Sequence, residues 1–170
     1  MTAIGFTTGS DSATLTSITG SFSAVTGASV ATNAFSLSIY NSSGGLPGTL
    51  LETLSGSSSP TTNAYYTYTS AGNVTLTPNT TYFAVTSVTD TGLARWNVVS
   101  SNSETSLYGW SIADGLHITM NPTSNWVLAS SSSHQISVSA LAVPEPSTYA
   151  ALAAALTLAV TVYVRRRPTT

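Results

Sequence analysis

The stretch Phe35-Ser36-Leu37-Ser38-Ile39-Tyr40 alternates large apolar and small hydroxyl side chains with a period of two. Successive side chains of a β-strand point to opposite faces, so Phe35, Leu37 and Ile39 share one face. The β-branched residues that recur in similar stretches suit a pleated, half-buried surface better than a helix. The stretch therefore predicts a half-buried β-strand.

The same alternation extends through most of residues 6–142. Further strands are predicted at Leu15–Phe22, Thr49–Leu54, Tyr65–Thr69, Val74–Thr77, Tyr82–Val88, Arg95–Val99, Leu116–Met120 and His134–Val143. Glycine, proline and asparagine fall between them, and Asn41–Gly48 in particular is predicted to end a strand as a turn. No helical periodicity of useful length occurs before residue 147. The pattern predicts an all-β fold, an antiparallel β-sandwich of the jelly-roll or Ig-like type, over residues 1–142.

The composition is rich in hydroxyl groups and poor in charge. Serine and threonine number 29 each, only 6% of the 170 residues are charged, and lysine and cysteine are absent. Because nucleic-acid binding needs clustered cations, nucleic acid is excluded as a partner of the main domain. The lack of cysteine excludes disulfides, a thiolate nucleophile and cysteine-based metal sites. Low charge and abundant hydroxyls favour an extracellular location.

The C-terminal tail is a segment distinct from the predicted β domain. Pro144, Glu145 and Pro146 lie in a linker predicted over residues 143–148, where two prolines disfavour helix. Residues 149–164 carry no charge, and as a helix they would span about 24 Å, slightly less than a typical bilayer core. They are predicted to form a transmembrane helix, followed by a basic cytoplasmic tail over residues 165–170 that contains Arg165, Arg166 and Arg167. Positive charge stays inside, so the sandwich is predicted to face outward.

This tail closely resembles the PEP-CTERM sorting domain of exopolysaccharide-producing Gram-negative bacteria. A Pro-Glu-Pro motif, a short hydrophobic helix and an arginine cluster occur in the same order and spacing. The resemblance implies recognition by an exosortase, a membrane-embedded cysteine transpeptidase that removes the anchor. Pro144, Glu145 and Pro146 would then be a recognition site and not a catalytic one. The alternative is a stiff linker before an ordinary single-pass anchor.

The body resembles a second family, the choice-of-anchor domains, with the R type as the best match over roughly residues 5–141. The matching segments are Phe6–Ser10, Ser38–Tyr40, Gly48–Leu51, Leu76–Tyr82 and Gly109–Ile112. That resemblance implies an exported β domain attached to a C-terminal anchor. Exosortase substrates carry an N-terminal secretory signal, and Met1–Phe6 lacks its features. We therefore expect the signal peptide to be missing from this chain, with the mature protein anchored in the inner membrane and then delivered to the cell surface or beyond.

Catalytic and metal sites are weakly indicated. His117 and His134 are the only histidines, and no Gly-x-Ser-x-Gly elbow accompanies them. Asp90, Glu104 and Asp114 are candidate calcium ligands in loops, but their spacing matches no calcium motif. No catalytic residue, cofactor or metal is predicted, and a secreted hydrolase ranks last among the functions considered.

The aromatic residues offer one alternative function. Trp96 and Trp110 are predicted to lie in the core, because Trp96 alternates with Val98 and Trp110 stands at the start of a strand-like Gly-Trp-Ser-Ile run. Tyr65, Tyr66 and Trp126 are predicted to be exposed, where they could stack on sugar rings. The sequence therefore predicts a non-enzymatic surface or matrix protein processed by an exosortase, or alternatively a carbohydrate-binding module that contacts exopolysaccharide.

Overall fold

A computed structural model describes residues 1–23, 34–89, 95–99, 109–113, 115–119, 125–130, 132–143 and 153–160. Thirteen strands lie within these residues: β1 (Thr2–Thr7), β2 (Ala13–Phe22), β3 (Phe35–Ser43), β4 (Leu46–Thr53), β5 (Ala64–Thr69), β6 (Thr75–Leu76), β7 (Thr81–Val88), β8 (Val98–Val99), β9 (Ser111–Ile112), β10 (Leu116–Ile118), β11 (Val127–Ser130), β12 (Ser133–His134) and β13 (Ile136–Ala142). All of their pairings are antiparallel, which confirms the predicted all-β antiparallel class. We call residues 1–143 the body.

The large sheet has the strand order β11-β10-β1-β7-β3-β4, with β9 also paired to β1. Its central strand, β1, was not predicted. Ala3, Ile4 and Phe6 are all buried, so this strand packs on both faces and shows no apolar–polar alternation. The segment that starts the chain is therefore an integral part of the body.

The small sheet has the order β13-β2-β5, and β6 continues the line of β5 along the same edge of β2. Its inward side chains and those of the large sheet form one shared core, in a sandwich-like arrangement. The core contains Ile4, Phe6, Leu15, Ile18, Phe22, Phe35, Leu37, Ile39, Tyr68, Leu76, Tyr82 and Ala84. Phe35, Leu37 and Ile39 share the buried face, as the alternation predicts.

A tight hairpin joins β3 to β4, and the prediction of a turn over Asn41–Gly48 was wrong. Only Gly44 and Gly45 form the turn, with φ angles of 61° and 80°, the left-handed conformation that two-residue hairpin turns require. Pro47 lies in β4 itself and pairs with Ser42. Because β4 is an edge strand, the missing N–H of proline does not break the sheet.

The chain crosses from the large to the small sheet directly after β4. Ser55 and Thr69 exchange two backbone hydrogen bonds, of 2.9 and 2.8 Å. The Glu52 carboxylate accepts hydrogen bonds from the Ser70 hydroxyl at 2.7 Å and from the Ala71 N–H at 2.6 Å. These contacts tie the β4 edge of one sheet to the β5 edge of the other.

A second, smaller cluster lies on the outer face of the large sheet. Phe83 and Val85 point away from the main core and are buried with Ala3. Met1, Tyr40 and Trp126 pack against them. Phe83 and Val85 thus face opposite to Tyr82 and Ala84, and both faces of β7 are buried.

Candidate functional site

The predicted sorting motif, Pro144, Glu145 and Pro146, lies outside the described residues, as do Arg165, Arg166 and Arg167. The structure describes both flanks of the motif. On the N-terminal side, β13 runs to Ala142, and the Val143 N–H donates a 2.9 Å hydrogen bond to the Ser12 carbonyl. On the other side, residues 153–160 are helical. Within the described residues, no helix is long and apolar enough to span a bilayer.

The end of the body from which the chain leaves is fixed by a buried threonine. Thr8 is 1% exposed, and its hydroxyl donates to the Thr77 carbonyl at 2.6 Å and accepts from the Thr80 N–H at 2.9 Å. The Thr77 N–H in turn donates to the Tyr82 hydroxyl at 2.9 Å. The loop between β6 and β7 is therefore tied to the loop between β1 and β2, close to Ser12. Val143, through its bond to Ser12, is thus attached to a hydrogen-bonded end of the body.

The three predicted glycan-contact residues do not share a surface. Tyr65 is 66% exposed on the outer face of the small sheet. Tyr66 is the next residue of the same strand and points inward, where it packs against the main core. Its hydroxyl exchanges hydrogen bonds with Thr62. Trp126 packs against the cluster on the outer face of the large sheet. Of the three, only Tyr65 presents an open ring.

The other two tryptophans contact the main core. Trp96 is buried against Phe22 with ring centroids 4.4 Å apart. Its indole N–H donates to the Thr2 hydroxyl at 3.1 Å. Trp110 packs on the main core and stacks on Phe6 at 6.3 Å. The predicted core position of Trp96 is confirmed, whereas Trp110 is half-buried and packs against the core.

A polar cluster that sequence reasoning missed adjoins Tyr65. The Asn97 side-chain amide donates to the Ser21 hydroxyl at 2.7 Å and to the Asn63 side-chain oxygen, Oδ1, at 2.5 Å. Ser21 lies directly opposite Tyr65 in the register of β2 and β5. Asn97 directly follows the buried Trp96. Because successive side chains of an extended chain point to opposite sides, the sequence indicates that the Asn97 side chain lies on the outside.

The two histidines show no catalytic arrangement within the described part of the chain. His117 packs edge-on against Phe83 at 5.8 Å, and His134 is buried. The Nδ1 atom of each is buried without a hydrogen-bond partner there. Asp90, Glu104 and Asp114 lie outside the described residues, and no group of three metal-ligating side chains occurs among those described.

Burial lowers the pKa of both His117 and His134, and a backbone hydrogen bond with Ser132 opposes this in part at His134. The unfolded chain takes up protons near pH 6.5, whereas the folded histidines do so only at lower pH. We therefore expect the melting temperature to fall as the pH is lowered from 7 to 5. The histidine-free variant His117→Gln/His134→Gln should show a shallower dependence in thermal denaturation, and an unchanged slope would contradict the assignment.

Comparisons with known proteins add no relative. No protein-family model, no curated protein and no solved structure matches this chain.

Proposed function

We propose that this protein is a non-enzymatic exported surface or matrix protein, sorted and processed through its C-terminus by an exosortase. The observation that carries the proposal is the order of three features in the last 27 residues: Pro144-Glu145-Pro146, the uncharged residues 149–164, and Arg165–Arg167. Each feature serves a different physical need, namely recognition, membrane burial and retention on the cytoplasmic side. We also propose that the body is a sandwich of the jelly-roll or Ig-like type and that residues 149–164 form a transmembrane helix.

The position of the motif relative to the body supports recognition by an enzyme in the membrane. Val143 still hydrogen bonds to Ser12, so the motif directly follows a folded edge strand. Residues 144–148 can span at most about 17 Å, which holds the body close to the bilayer. Proline favours the extended polyproline geometry that a transpeptidase requires of its substrate.

The helical residues support membrane burial. Leu156, Leu158 and Val160 are all largely exposed, and none packs against the body's main core or the smaller cluster. Transfer of such apolar surface from water to hydrocarbon is favourable by about 25 cal/mol per Å². The abundance of alanine in residues 149–164 limits this gain, so extracting the segment costs less than extracting a leucine-rich anchor.

The proposal predicts that the motif controls release from the membrane. In the host, changing Pro144, Glu145 and Pro146 together to alanine should leave the full-length protein in the membrane fraction, because the enzyme loses its recognition site. Changing the adjacent Ser147 and Thr148 to alanine is the matched control and should leave processing intact. Immunoblots of membrane and surface fractions measure both forms. Release of the triple variant at the unaltered rate would contradict the proposal.

A further inference from the structure

The outer face of the small sheet carries hydroxyl side chains in register across three strands. Two neighbouring rows consist only of serine and threonine, Ser137-Thr19-Thr67 and Ser139-Ser17-Thr69. The Thr19 and Thr67 hydroxyls are 2.8 Å apart and bond to each other. Strands β2, β5 and β13 contain no charged residue. The face is thus a polar, uncharged surface built on regular strands.

An exposed aromatic ring lies at one end of this face. Tyr65 is 66% exposed, and every other aromatic side chain in the described part of the chain is buried or half-buried. It belongs to β5, and Ser21 on the neighbouring strand lies directly opposite. A tyrosine ring offers a large, rigid contact area at low conformational-entropy cost.

Two carboxamides are held beside this ring. Asn97 bonds to Asn63 and Ser21 through its side-chain nitrogen, and its backbone N–H donates to the Ser21 carbonyl at 2.9 Å. These bonds engage the nitrogen of one amide and the oxygen of the other. The Asn97 oxygen and the Asn63 nitrogen therefore give an acceptor and a donor for a ligand next to Tyr65. Groups fixed in this way lose little freedom on binding.

We infer that this end of the small sheet, formed by Tyr65, Asn63 and Asn97, is a binding site for a neutral polysaccharide, with the buried Ser21 holding the Asn97 amide in place. A pyranose ring has an apolar face of C–H groups that packs on an aromatic ring, and hydroxyl groups that both donate and accept hydrogen bonds. The Tyr65 ring packs on the apolar face of the sugar, and the side-chain amides of Asn63 and Asn97 hydrogen bond to its hydroxyl groups. The serine and threonine rows continue the polar surface along the direction in which a polymer extends.

The charge of the body selects a neutral polymer over an acidic one. Residues 1–143 contain five acidic residues and a single basic one, Arg95. Arg95 lies at the margin of the site, where its backbone N–H bonds to the Ser23 hydroxyl at 3.1 Å. The net negative charge of residues 1–143 repels a polyanion at long range, and the single cation Arg95 does not offset this repulsion. A carboxylate group of an acidic polymer would also lose hydration on the strand face, because no opposite charge on that face compensates for the lost water.

Affinity electrophoresis of the full-length protein in detergent tests this site and does not depend on processing. The gels contain a neutral β-glucan, a neutral galactomannan or, as the polyanion, alginate. Retardation is expected in at least one neutral gel and not in alginate. Tyr65→Ala should raise the dissociation constant at least tenfold, and Asn63→Ala should raise it severalfold. Leu141→Ala is the matched control, since Leu141 is 67% exposed on the far end of the same face, and it should bind as the wild type does.

Three outcomes would overturn the inference. They are migration of the wild type unaffected by both neutral polymers, retardation by alginate alone, and equal retardation of the wild type and Tyr65→Ala. Asn63→Ala keeps the test decisive if Tyr65→Ala melts at a lower temperature, because Asn63 is exposed and outside the core.

Discussion

Gly20→Ala is expected to destabilise the body by about 3 kcal/mol. Gly20 is a buried residue of the central strand of the small sheet. A Cβ atom at this position would lie 2.5 Å from Phe22 Cζ and 2.6 Å from Trp96 Cζ3. Neither ring can move away easily, because Trp96 packs on Phe22 and is also held by its hydrogen bond to Thr2. The added methyl group therefore forces the core apart.

Thermal denaturation measures this effect. For a domain of this size, such a loss corresponds to roughly 6–12 °C in melting temperature. Gly5→Ala is the matched control on β1: its Cβ would meet Phe83 Cε1 at 3.2 Å and Ala113 Cβ at 3.3 Å, which small shifts can relieve. It should cost about 1 kcal/mol or less. Equal melting temperatures for the two variants would show that the ring contacts around Gly20 are not as described.

Thr8→Val is expected to cost about 2–4 kcal/mol. Valine has nearly the same shape, so the change removes only the hydroxyl group that bridges the Thr77 carbonyl and the Thr80 N–H. The Thr80 N–H loses its bond, and the Thr77 carbonyl loses a donor. Thr8 is 1% exposed, so water cannot easily replace the lost hydroxyl.

Urea denaturation separates this effect from a general sensitivity to threonine replacement. Thr7→Val, at the adjacent residue, removes a hydroxyl that bonds to the half-buried Thr81 hydroxyl at 2.9 Å, and it should cost less than about 1 kcal/mol. Thr8→Ser keeps the bridging oxygen and should recover most of the stability. If Thr8→Val and Thr7→Val have the same unfolding midpoint, the bridge does not stabilise this end of the body.

The sequence could predict strands whose two faces differ. β2, β3, β5 and β13 alternate apolar and hydroxyl residues, because one face packs on the core and the other meets solvent. β1 is buried on both faces, so its Thr-Ala-Ile-Gly-Phe-Thr sequence carries no alternation. Strands of two residues, such as β8 and β12, are too short for any periodicity to define them.

The candidate glycan residues were predictable only in part. Tyr65 and Tyr66 are neighbours in a strand, so the period of two already requires them to face opposite ways. The position of Trp126 depends on a second cluster around Phe83 and Val85, which lies on a face that a two-layer sandwich would leave to solvent. Asn97 reaches Asn63 only because residues 95–97 pair with the end of β2, a contact between distant parts of the chain.

Intact-mass spectrometry of the mature protein from the host surface tests the central claim, exosortase processing, most directly. The proposal predicts a form that lacks everything C-terminal to Pro144-Glu145-Pro146, including residues 149–164 and the arginine cluster. A mature surface protein that retains the intact Arg165–Thr170 end would contradict processing and leave a plain membrane anchor.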